Sequence, residues 1–131
     1  EDINKQIGYE RRNGWKRTPD QTQTDKRGNC TDIALYKLGQ VRAMQLDNPN
    51  ILSAHLERCW LDNHFTKPHM VCIVEIKHRK WWGKCTVSEL VLDNRYNDVE
   101  ERSWHNYEWV SINSNQWTLQ EALEELEKHN A

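Results

Sequence analysis

No apolar run in these 131 residues approaches the roughly 20 needed to cross a bilayer as a helix. No leader of the secretory type is visible either. The sequence as given starts at Glu1 rather than Met, so a removed leader or upstream segment stays open, and with it the compartment. An excess of one charge is also missing. Eighteen Lys and Arg against 20 Asp and Glu leave a formal charge of −2, so no global basic field draws in nucleic acid. There is no C-x-x-C, and the histidines are scattered rather than set at ligand spacing, which argues against zinc. Repeats, low-complexity tracts and domain boundaries are lacking as well. Mean hydropathy is very polar at −0.99, but seven Trp argue against disorder, which is poor in aromatics. One domain over residues 1–131, long enough for a real core, is the expectation.

The stretch from Arg27 to Leu38 is the most informative. A glycine-led turn, Gly28-Asn29, delivers Cys30 to the first turn of an amphipathic helix. Backbone N–H groups at a helix start carry partial positive charge, favour an ionised sulfur and can hold an oxyanion. A base and an orienting group follow in order. Pro68 to Ile76 is a strand-like run with His69 at its start, and Glu89 to Asn94 is another that ends on Asp93. In such a set the histidine removes the thiol proton and the acid fixes the imidazole's tautomer.

These segments resemble the bacterial transglutaminase-like cysteine proteinases. Gly28-Asn29-Cys30-Thr31-Asp32-Ile33-Ala34-Leu35-Tyr36-Lys37 is similar to the family's G-[DN]-C-x-D-x-A-x-x-K. His69-Met70-Val71 is similar to H-x-V, and Leu90-Val91-Leu92-Asp93-Asn94 to L-V-L-D-N. Asn4, Ile7, Tyr9, Trp15 and Thr18-Pro19 resemble its lead-in, so the likeness runs from about residue 4 to 113. It implies a papain-like, transglutaminase-like core with Cys30 as nucleophile, His69 as base and Asp93 as orienter. It further implies a thiol hydrolase that forms an acyl-enzyme on a protein or peptide, from a bacterium or a phage, in the bacterial periplasm or the cytoplasm. A transglutaminase-type acyl transfer uses the same intermediate and stays open.

The best-known members depend on calcium, with an acid shortly after the lead-in Tyr and acids near the nucleophile. Here Arg11, Arg12 and Asn13 follow Tyr9 and Glu10, and Thr31 follows the cysteine. Asp32 remains, where an acid caps a helix or pairs with a base. Calcium needs several oxygen ligands, so no metal or other cofactor is expected.

The layout reads as α+β, a nucleophile-bearing helix on an antiparallel sheet. A short helix over residues 1–12 leads into a loop, Asn13 to Gly28. A helix follows from Thr31 to about Met44, with Ala34, Leu38, Val41 and Gln45 on one stripe. Asp47 to Asn50 breaks it. Residues 51–61 alternate as a strand with Leu52, Ala54, Leu56 and Trp60 on one side. Residues 69–79, 85–93 and 107–112 supply three more strands, with Gly83 giving a positive φ in the hairpin between the second and third. Thr118-Leu119-Gln120-Glu121 is a capping box that opens a last helix with Leu119, Ala122, Leu123 and Leu126 on one face.

Further residues carry two readings each. Trp15 either walls the cleft, points its indole N–H at the oxyanion, or packs in the core. Asn29 is a helix cap or a cleft residue, and Asn94, beside Asp93, is a further cleft candidate. His55 and His64 are the rival bases. Cys59, Cys72 and Cys85 read as structural free thiols, with one disulfide as the competitor. His78 to Lys84 interleaves basic residues with Trp81 and Trp82, a surface for substrate or a partner protein. That hairpin is the working surface if the chain is instead a non-catalytic binding module.

Overall fold

The structure is a computed structural model that describes residues 2–10, 14–61, 67–79, 82–96, 99–109 and 115–130. Its centre is helix α3 (Cys30–Gln45), preceded by α1 (Asp2–Gln6), strand β1 (Gly8–Tyr9), α2 (Pro19–Asp25) and strand β2 (Arg27–Gly28). An antiparallel meander follows: β3 (Ile51–Trp60), β4 (Pro68–Arg79) and β5 (Cys85–Leu92). Short strands β6 (Glu100–Glu101), β7 (Glu108–Trp109) and β8 (Gln116–Trp117) complete a six-stranded sheet in the order β6-β5-β4-β3-β7, with β8 also on β3. Helix α4 (Leu119–Asn130) closes the fold. The class is α+β with an antiparallel sheet, as the residue patterns predict.

The sheet is covered on both faces, which explains why β4 is apolar at consecutive positions from Met70 to Val74. On one face Ala54, Leu56, Met70, Cys72 and Val74 pack against Ala34, Leu35, Leu38 and Val41 of α3 and Ala122 and Leu126 of α4. On the other, Cys59, Val71, Ile73 and Val91 lie under Tyr107, with Leu61, Tyr96 and Trp109 around them. Burying each large aliphatic side chain stabilises the fold by about 1.5–3 kcal/mol. Helix α3 is buried continuously from Thr31 to Leu38, not along a single stripe. Its second face meets Ile7 and Ile3 through Ile33 and Tyr36, so it lies between the sheet and the N-terminal segment.

Four differences from the sequence reading have local causes. The stretch expected as a loop contains α2, because Thr18 caps it, Pro19 stands in its first turn and Gln21 completes a capping box. Gly28 is not in a turn but in β2, paired in parallel with Tyr9, and the left-handed residue before it is Lys26 (φ 55°). The register of β3 shifts between Ile51 and Ser53, which buries Ile51 and leaves Leu52 43% exposed. Of the strand expected over 107–112, the described part is β7, and 110–114 lie outside the described residues. The helix expected over 1–12 is also cut short, with α1 ending at Gln6 and β1 following at Gly8–Tyr9, and β6 and β8 have no counterpart in the sequence reading. Gly83 has φ 94°, and Thr118 and Glu121 form the predicted box, with bonds of 2.9 and 3.2 Å. No disulfide joins Cys30, Cys59, Cys72 and Cys85, so the competing disulfide is not formed.

Candidate active site

The local sequence builds the start of α3 from a reciprocal cap. The Asn29 side chain accepts the Asp32 N–H at 2.8 Å, and the Asp32 carboxylate accepts the Asn29 N–H at 3.2 Å. Asn29 also donates to the Gly14 carbonyl at 2.8 Å. This box requires Gly28, since a Cβ there would lie 2.6 Å from Asp32 Cβ. Cys30 is the first residue of the helix, so its N–H and that of Thr31 have no acceptor further back in the helix.

His69 and Asp93 come together through strand register. His69 is the second residue of β4 and pairs with Cys59. Leu92 pairs with Cys72, so the next residue, Asp93, falls on the same face as Val71 and His69. His69 Nε2 and Asp93 Oδ1 are 2.7 Å apart, with the two residues only 5% and 2% exposed. The rest of the carboxylate is also occupied. Oδ1 accepts the Arg95 N–H at 3.0 Å, and Oδ2 accepts a short bond from the Tyr107 hydroxyl. Asn4 donates to the backbone carbonyls of Asp93 (3.0 Å) and Tyr96 (2.6 Å), which fixes the turn after β5.

The Cys30 thiol interacts electrostatically with the His69 ring, the Met70 backbone and the Thr31 side chain. With Nε2 engaged by Asp93, Nδ1 is the ring nitrogen left for the thiol. Burial alone pushes the thiol up, but His69, then the Met70 backbone and the Thr31 side chain, bring it below the ordinary cysteine value. Burial likewise disfavours the imidazolium, but Asp93 and Cys30 raise His69 to about 9. Asp93, pushed up by burial, is held below the usual carboxylate range by His69, Tyr107 and the Arg95 N–H. Burial and the Asp93 carboxylate push Tyr107 upward, so it stays a neutral donor. These shifts together favour a thiolate–imidazolium pair beside an ionised carboxylate.

Gly14, Cys30, Thr31, Arg58, Pro68, His69 and Met70 line a cleft of about 280 Å³ beside the sulfur. Trp15, Asn29 and Asn94 are not among its lining residues. Trp15 is in the core, edge-on to Trp117 at 5.4 Å. The Asn29 side chain is used in the cap. Asn94 follows Asp93, and its buried Oδ1 has no hydrogen-bond partner among the described residues. His55 Nε2 bonds to buried Glu57 at 3.2 Å instead of to Cys30. His64 and Trp81 lie outside the described residues, and Trp82 is 58% exposed.

Several contributors carry no role in the sequence reading. Tyr107 and Arg95 reach the acid from the loop after β5 and from the approach to β7. His105 stacks on Tyr107 with centroids 5.2 Å apart, and burial lowers its pKa. Arg58 lines the cleft with its guanidinium over the Trp117 ring, 5.4 Å from the centroid. The only signal for Tyr107 and Arg58 is their position on or next to strands, which does not tell cleft from surface.

The class of fold is papain-like and transglutaminase-like, with helix α3 set against a curled antiparallel sheet. Among solved structures the chain is similar to the calcium-bound LapG of Legionella pneumophila, with a TM-score of 0.63, 15% identity, and coverage of 99% of this chain and 77% of that one. At that identity the likeness is one of fold. No family model matches the sequence, and no curated protein matches it. The LapG structure is calcium-bound; among the described residues of this chain, no group of three or more His, Cys, Asp or Glu that could hold a metal ion is found. No helix among the described residues is long and apolar enough to cross a membrane.

Proposed function

We propose that the chain is a single-domain cysteine peptidase with Cys30 as nucleophile, His69 as general base and acid, and Asp93 as the group that orients and charges His69. The observation that carries this reading is one imidazole that is bonded to a buried carboxylate and shares a cleft with a helix-start thiol, with the thiol lowered and the imidazole raised. The fold shared with LapG supports it, as does the sequence resemblance to the transglutaminase-like proteinases.

In the reaction, the Cys30 thiolate adds to the carbonyl carbon of a peptide or amide bond. The N–H groups of Cys30 and Thr31, which lack an intrahelical acceptor, would stabilise the oxyanion. His69 gives its proton to the leaving amine, the C–N bond breaks and an acyl-enzyme remains. Water then gives a proton to His69 and attacks the thioester, which releases the acid and returns Cys30 to the thiolate. An amine in place of that water would give acyl transfer, and a substrate screen run with and without added amine separates the two. The test is Cys30→Ala on a peptide library: it should abolish turnover and leave the melting temperature within a few degrees of wild type. Turnover that survives in a folded Cys30→Ala variant would remove Cys30 from the role.

A further inference from the structure

We propose that Arg17 is the resident cation of the helix start that carries Cys30, neutralising three carboxylates so that they do not fit a divalent ion and this chain positions its nucleophile without calcium. Arg17 is only 8% exposed, and its guanidinium reaches three acids from three different segments. Nε bonds to Asp25 at 3.0 Å, at the end of α2. Nη1 and Nη2 bond to Glu10 at 3.2 and 3.3 Å, just after β1. Nη1 also meets Asp32 Oδ2 at 3.4 Å, while the Arg17 backbone N–H bonds to Asp32 Oδ1 at 3.1 Å.

Asp32 is the reciprocal partner of Asn29 in the cap, so the guanidinium acts two residues from the sulfur. The same network ties Glu10 to β2, since the Glu10 N–H bonds to the Gly28 carbonyl at 2.7 Å. A planar guanidinium with five fixed donors suits this task, because it bridges several carboxylates in set directions. Arg27 adds a second positive charge on Glu10 at 3.3 Å. Three carboxylates against two guanidinium groups leave about one negative charge, far short of what a dication wants from its ligands. A divalent ion would have to displace a buried Arg that already satisfies the same oxygens. The fold is shared with a calcium-bound relative, but this chain carries its own cation.

The inference rests on the peptidase reading only in treating Cys30 as the group being positioned, and its tests need no turnover. The first compares melting temperature and the pH profile of Cys30 alkylation by iodoacetamide in wild type, with EDTA and with millimolar calcium chloride. Neither should move. The second measures the same profile in Arg17→Met, which keeps bulk and removes charge. Leaving three carboxylates beside the helix start should shift the alkylation midpoint upward by roughly half a pH unit. Arg17→Lys, which restores a cation without the fork, should fall between the two and covers the case in which Arg17→Met does not fold. A wild-type melting temperature that rises with calcium or falls with EDTA would overturn the proposal. So would an unchanged alkylation midpoint in folded Arg17→Met, or in Arg17→Lys where it stands in for that variant. Loss of peptidase activity with these results intact would count against the function and not against Arg17.

Discussion

Replacing Asp93 with Asn keeps the shape of the orienting group and removes its charge, and the size of the effect follows from His69. The imidazole stands at about 9 against an ordinary 6.5, a difference worth about 3 kcal/mol. Burial works against that rise, and the Asp93 bond is the first of the groups producing it, followed by Cys30. At pH 7.5 a pKa of 9 leaves about 97% of the ring charged, whereas 6.5 leaves about 9%. Asp93→Asn should therefore lower the His69 midpoint, read from its ring protons by NMR, by at least about one unit. It should also slow Cys30 alkylation at pH 7.5 by roughly three- to tenfold, as the imidazolium that supports the thiolate is lost. The stability consequence has a defined sign. The raised His69 value contributes fully below pH 6.5 and is lost as pH rises through about 9. The lowered Asp93 value contributes above its ordinary range, about 4, and is lost as pH falls through the folded value. The stability gap between wild type and Asp93→Asn should thus be widest near pH 5 to 6.5 and narrow on both sides. A folded Asp93→Asn variant with the wild-type His69 midpoint and alkylation rate would refute the coupling.

Two further outcomes follow from particular contacts. Gly28→Ala forces a Cβ against Asp32 Cβ, so chemical denaturation should show a loss of about 1–3 kcal/mol, the usual cost of overpacking; an unchanged midpoint would mean that the cap yields freely. Arg58 is a charged residue lining the cleft, so Arg58→Gln should lower the rate of Cys30 labelling by anionic iodoacetate relative to neutral iodoacetamide by several-fold, and an unchanged ratio would mean that the Arg58 charge is not felt at the sulfur.

Much of the fold was legible because its signals are local. Periodicity marks α3 and α4, alternation and apolar runs mark β3 to β5, and the order of Cys30, His69 and Asp93 falls on a helix start and two neighbouring strands. What stayed hidden depends on contacts distant in sequence. Thr18-Pro19-Asp20-Gln21 carried a readable capping box, so α2 was within reach. Tyr107 and Arg17 were not. A tyrosine before a two-residue strand and an arginine in an irregular segment give no periodic signal, and their roles appear only once Asp93 and Asp32 have been brought to them. Trp15 illustrates the opposite case: its place in a motif left cleft and core both open, and Trp117, on a strand with no sequence signal, sets it in the core.

The bonds that charge the sulfur span long stretches of chain: 24 residues separate His69 from Asp93, 14 separate Asp93 from Tyr107, and 89 separate Asn4 from the turn that holds Asp93. Contacts of that range form late, after much of the chain entropy has been lost. Until the meander closes and Tyr107 reaches Asp93, Cys30 lacks the partners that lower its thiol. If Cys30 is the nucleophile proposed above, it is armed only once the fold is complete, which would spare unfolded copies and their neighbours from attack during synthesis.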